Sequence, residues 1–232
     1  MTQRYYMAFS ASPELVFTAE RVLALPSSTA NENWEQAFKD YNGLHIPGLI
    51  NGYLIYPCDS IGLSVGSAKI IHSAAETMSK TATAMTNSLF KKRTNDELIP
   101  IIGIVNDAFV EDKYSSTNQH VSGYEIGKEL FDKMQRSFEE VRNGRLEEVR
   151  EELISTMLQT TDVILKKSIQ RYVSSLQLSM VSRKVASVAV ATCRSANHMV
   201  VNKVFKKMDN ESMIKLAGLL EDLLVVRELE GQ

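Results

Sequence analysis

The sequence predicts a mainly α-helical protein, an antiparallel helical bundle with an irregular, turn-rich N-terminal half that holds one or two short strands. Three observations predict it. All five prolines fall in the first hundred residues, and no Gly or Pro interrupts the chain between Gly144 and Gly218; helix breakers are therefore confined to the first half. From Ile126 onward, apolar residues recur every third or fourth position, the period of one helical face. A chain of 232 residues with 44% hydrophobic and 23% charged content can bury a sizeable core and is unlike a disordered sequence. The expected organisation is a region of short helices, loops and a small-residue helix over 1–120, then a long-helix bundle over 121–232, forming one continuous domain.

Each element has a local reason. "SPELVFTAERVLAL" is a helix with Ser12 as N-cap, Pro13 in the first turn and Glu14 at the positive end of the dipole; Pro26 ends it. "NENWEQAFKDY" is a second, short helix capped by Asn31 or Asn33 and closed by Gly43. The Gly/Pro-rich stretch that follows is expected as loop with one short strand at Tyr53–Tyr56. Ser67 to Phe90 is a helix of Ala, Ser and Thr, capped by Ser67 and ended by the basic cluster Lys91, Lys92 and Arg93. For "TNDELIPIIGIVNDAF" a helix beginning after Asn95 is favoured over a buried strand through 99–105.

In the second half, Ile126, Leu130, Met134, Phe138 and Val141 mark a helix reaching back to Ser122, and Gly144 suits the left-handed position after its end. Leu146, Val149, Leu153, Met157 and Ile164 mark the next helix, and Asn210 is expected to cap the last one. Unbroken from Arg145 to Asn210, the stretch would be about 95 Å long at ~1.5 Å per residue. Its apolar stripe loses phase between 176 and 184, where a break is expected. The run "VASVAVATC" after the break is apolar on nearly every side, so it is expected to be central and largely buried. A strand over 185–193 is the alternative, because Val favours strands.

Composition limits the function. A net charge of −2 gives no overall basic balance for nucleic acid or anionic membrane. Two distant cysteines, Cys58 and Cys193, cannot form a disulfide framework and read as buried small apolar residues. The opening "MTQRYYMAFSAS" is too short and too polar in its apolar part for a signal peptide. No stretch reads as a membrane span, so a cytoplasmic location is expected. The four histidines have no metal-ligand spacing, and the chain lacks any Glu-x-x-His pair. Neither metal nor cofactor is expected.

Two constellations remain. "GLSVG", residues 62–66, matches the G-x-S-x-G elbow of serine hydrolases. Ser64 would be the nucleophile, with Asp107 and His120 or His198 as partners. The motif lacks a strand leading into it, so the preferred reading is a loop and helix start. Gly62, Gly66, Ser67 and Lys69 there form a candidate anion site, although Lys69 does not follow the second Gly as a P-loop requires. The second constellation is charge. Residues 163–208 hold nine bases and no acid, whereas 125–162 hold ten acids against six bases and 209–232 six against two. Such segregation lets acidic and basic helices pair within the chain, across a homo-oligomer or with another helical protein. The candidate partner- or anion-binding residues are Arg183, Lys184, Arg194, Lys203 and Lys207, the two arginines because they interrupt an apolar face. A non-enzymatic interaction or regulatory protein is the expected function. The alternatives are a binder of nucleic acid or another polyanion through 163–208, or a hydrolase or phosphate site at "GLSVG". Within the polyanion reading, "ATCR" would be the turn of a helix-turn-helix whose second helix carries Asn197, Asn202 and Lys203.

Overall fold

A computed structural model describes residues 2–28, 32–111 and 120–229. The chain is mainly α-helical, and its helices pack around one small antiparallel sheet. In chain order the elements are β1 (Thr2–Ser10), α1 (Pro13–Ala24), α2 (Trp34–Ile50), α3 (Tyr56–Ser60), α4 (Val65–Phe90), α5 (Asn95–Ala108), β2 (Phe109–Glu111) and β3 (His120–Glu125). Then follow α6 (Lys128–Arg142), α7 (Leu146–Leu165), α8 (Arg171–Ser175), α9 (Met180–Lys203), α10 (Asn210–Glu221) and β4 (Leu224–Leu229). Single π-helical turns, Asn51–Ile55 and Lys166–Gln170, join α2 to α3 and α7 to α8.

Helix ends follow the local chemistry. The Ser12 hydroxyl accepts the Leu15 N–H with Pro13 in the first turn, and the Asn33 side chain accepts the Gln36 N–H. Thr94 and Glu97 form a complete capping box, which settles 95–108 as a helix. Gly144 is left-handed at φ 79°. Leu176 is extended, and the Ser179 side chain opens α9 by accepting the Ser182 N–H, so the break falls inside the expected interval.

Other expectations are corrected. Gly43 does not close α2, which runs seven residues further, through Pro47, into the π-turn. Tyr53–Tyr56 is therefore helical rather than a strand. The reason is tertiary: Gly48 and Gly52 face Phe9 of β1, where an added Cβ would come within 2.9 Å of the ring and 2.5 Å of the Phe9 Cβ, respectively. The helix can lie flat against the strand only with those positions bare. Ser64, not Ser67, caps α4, and Asp209, not Asn210, caps α10. The N-terminal half is predominantly helical, not irregular, and the helix expected from Ser122 begins at Lys128, because 120–125 is strand. Likewise 185–193 is helix, within α9.

The strands lie in the order β2-β3-β1-β4, all antiparallel, with Ala8 opposite Gly123 and Tyr6 opposite Val225. One end of the chain thus pairs with the other. Met7 and Phe9 point to the helices, and Tyr6 and Ala8 meet Val121 and Val225 on the other face. Helices α4 and α9 form the central pair. Met85, Leu89 and Phe90 of α4 share a cluster with Ala186 and Ala189, whereas Ile71, Ala74 and Ala75 share one with Ala196 and Val200. The two helices therefore run antiparallel. The alanines of α4 permit that close approach, and the Cys193 Sγ lies 3.8 Å from the Met78 carbonyl oxygen. Burial pushes the Cys193 thiol up to about 11, leaving it a small apolar filler.

Candidate functional site on the outer face of α9

Helix α9 is split lengthwise. Its inner side buries Ala186, Ala189, Cys193, Ala196, Asn197, Val200 and Val201. Its outer side leaves Met180 87%, Val181 73%, Val185 47% and Val188 59% exposed. The expectation of a largely buried "VASVAVATC" is thus corrected: only Ala186, Ala189 and Cys193 are buried, Val190 packs partly against the core, and the valines at 185 and 188 face out. Apolar content on every side does not say which side the protein covers. The outer stripe continues through Ala191 and Ser195, both exposed, at the spacing expected of a helix awaiting a partner.

This face and its flank toward α8 carry charge. Arg183 and Lys184 are exposed and have no acidic partner among the described residues. Arg183 and Arg194 both line a groove of about 640 Å³ between α8 and α9, floored by Val173, Leu176, Ala186 and Val190 and lined by no carboxylate. At ~1.5 Å per residue the arginines stand about 16 Å apart along the helix. Arg194 is ion-paired with Asp162 of α7, so of the two interrupting arginines one is answered within the chain and one is not. Lys203 and Lys207 lie at the far end, exposed and without an acidic partner among the described residues. Part of the basic block is neutralised internally: Lys167 pairs with Glu125 and Arg171 with Asp107. Helix α9 also runs unbroken through 191–194, so "ATCR" is no turn and the helix-turn-helix is excluded.

The "GLSVG" residues are placed differently. Gly62 sits in the turn before α4 at φ 70°, and Gly66 and Lys69 are exposed within the first turns. The Ser64 hydroxyl accepts the Ser67 N–H at 3.3 Å and donates to the Ser67 hydroxyl at 3.1 Å. Asp107 is ion-paired with Arg4 and Arg171, and His120 stacks on Phe109. His72 accompanies Asp59 at 2.9 Å. No hydrogen bond among the described residues joins Ser64 to an imidazole. Nor do three potential metal ligands gather anywhere among the described residues.

The sequence singled out no role for His45, yet it is the hub of a buried polar chain. Its Nε2 lies 2.8 Å from the Tyr124 hydroxyl and its Nδ1 2.9 Å from Ser122 Oγ, which donates to the Ala108 carbonyl at 3.3 Å. One tautomer satisfies every link: Tyr124 O–H donates to Nε2, and Nδ1–H donates to Ser122 Oγ. Burial alone lowers the His45 pKa to about 4, so the imidazole stays neutral near pH 7. A Ser–His contact sealed in the core, with a phenol in place of the acid, orients these groups and does not form a catalytic triad. Nothing local could have revealed it, because 77 and 79 residues separate the partners.

No protein-family model, curated protein or solved structure matches the chain. No described helix is long and apolar enough to cross a membrane.

Proposed function

We propose that this is a non-enzymatic, cytoplasmic interaction protein whose outer α9 face docks an acidic amphipathic helix of a partner protein. One observation carries the reading: four exposed apolar side chains, Met180, Val181, Val185 and Val188, share the outer face of α9 with Lys184, while Arg183 lies on the flank toward α8, and neither cation has an acidic partner among the described residues. Burying that stripe supplies roughly 25 cal/mol for each Å² removed from water. The positive charges on and beside the stripe select an occupant with carboxylates next to its own apolar stripe. Two α9 faces laid directly on one another would instead bring like charges together.

A labelled helical peptide tests this, with leucines at i, i+4, i+7 and i+11 flanked by glutamates. The expected result is saturable fluorescence-anisotropy binding that weakens with salt and at least tenfold on Val188→Asp or Arg183→Glu. A lysine-flanked version should not bind. Equal binding of both peptides, or preferential binding of a nucleic-acid oligomer, would overturn the proposal.

Self-association is the second reading, favoured by one coincidence of spacing. The Asp162–Arg194 pair and the hydrogen bond from Arg150 of α7 to the Met208 carbonyl show that α7 and α9 run antiparallel. Counted from the Asp162–Arg194 level, exposed Glu151 lies eleven residues along α7 and Arg183 eleven along α9, in opposite directions. A two-fold axis at that level would set each glutamate opposite the other copy's arginine. Sedimentation equilibrium distinguishes the readings: a dimer dissociated by both Glu151→Lys and Arg183→Glu makes a second copy the occupant.

A further inference from the structure

A second feature lies inside the bundle and is independent of the outer face. A cavity of about 110 Å³ is enclosed by β1, α2, the first π-turn, α4, α6, α7, α9 and α10, and its wall is overwhelmingly apolar. Met7, Met78, Met134 and Met157 contribute to it, four of the ten methionines in the chain. Unbranched thioethers adapt to varied shapes, so such a wall suits an exchangeable guest better than a fixed core. The π-turn Asn51–Ile55 supplies Tyr53 and Leu54, and Leu165 immediately precedes the other π-turn. Irregular turns of this kind recur at functional sites.

One polar group in that wall is unanswered. Asn197 lines the cavity at 8% exposure, and its Nδ2 has no hydrogen-bond partner among the described residues. The hydroxyl of Thr160, also in the wall, is already used: it donates to the Thr156 carbonyl at 2.9 Å and lies 3.2 Å from the Met134 sulfur. A buried amide donor without an acceptor is costly, which makes an acceptor arriving on a ligand favourable. An apolar pocket with one such group fixes both the chemistry and the orientation of what enters it.

We propose that this cavity is a binding site for a small apolar molecule bearing a single oxygen function, with Asn197 Nδ2 donating to that oxygen. A cavity of about 150 Å³ admits benzene, with its six non-hydrogen atoms, so this smaller one takes a short chain or small ring of roughly four to five. A hydroxyl serves best, because it both accepts and donates and so meets either end of the amide.

The test uses the full chain with ¹³C-methyl methionine, titrated separately with cyclobutanol and with cyclopentane. The expected result is a saturable shift of the Met78, Met134 and Met157 methyl signals, while exposed Met180 stays in place. Asn197→Leu should weaken cyclobutanol about five- to tenfold and leave cyclopentane unchanged or tighter. Val201→Phe, which fills the cavity from its wall, should abolish both; circular dichroism checks its folding, and Asn197→Leu remains decisive if that variant does not fold. No saturable shift with either compound, or an equal loss of both in Asn197→Leu, would overturn the proposal.

Discussion

His45 and Asn197 are both polar, both buried, and carried on helices that pack in the same interior, yet their surroundings differ in kind. Every hydrogen-bonding position of the His45 ring is occupied by a partner from the sheet. The Asn197 amide faces methionines and leaves Nδ2 unanswered among the described residues. The difference separates structure from function: a closed polar chain specifies how helix and sheet meet, whereas an open donor in an adaptable apolar wall marks a place for something else. Geometry alone does not make the distinction, since the Ser122–His45 contact is the one that imitates catalysis.

The largest break in this comparison is removal of the imidazole. His45→Ala leaves the Tyr124 hydroxyl without its imidazole partner, takes one from Ser122 and opens a void, so a loss of about 4 kcal/mol is expected. Urea unfolding at pH 7 measures it, and a loss below about 1 kcal/mol would show that the chain is not structural.

Protonation is the next test. His45 is held at about 4 when folded against an ordinary value of 6.5, so between these values the unfolded chain binds the additional proton. Stability therefore rises with pH across that window and is lost as pH falls from 6.5 toward 4, by about 3 kcal/mol for a shift of this size. Urea midpoints taken from pH 7 to 4 should show this fall in the wild type and a shallower one in His45→Ala. Parallel curves would assign the acid sensitivity to other groups.

Asn197→Leu should act in the opposite sense and most weakly. It removes an unanswered donor and fills apolar space, so a gain of about 1 kcal/mol is expected in the same unfolding measurement. Destabilisation there would mean that the amide supports the fold, and the contrast with His45 would fail.

Much of the helical architecture was legible from neighbours in sequence. Ser12 with Pro13, Asn33, and Gly144 sit where local chemistry places them, and the phase slip of the apolar stripe located the break before α9. The strands were not legible. β1 reads as an ambiguous run of aromatic and polar residues and becomes a strand because β3 and β4 flank it from 111 to 227 residues away. The candidate site was half legible: Arg183 and Arg194 stood out as charges on an apolar stripe, but the sequence placed that stripe inside.

Local periodicity and capping by themselves determined that the chain is helical, where most helices start, and where its charges segregate. They could do so because these effects act within about one turn. Only the tertiary structure decided which side of α9 is covered, which arginine finds its acid, and that His45 is answered while the Asn197 amide is not. Each of those outcomes depends on groups tens of residues apart, and burial is a property of the neighbour as much as of the residue.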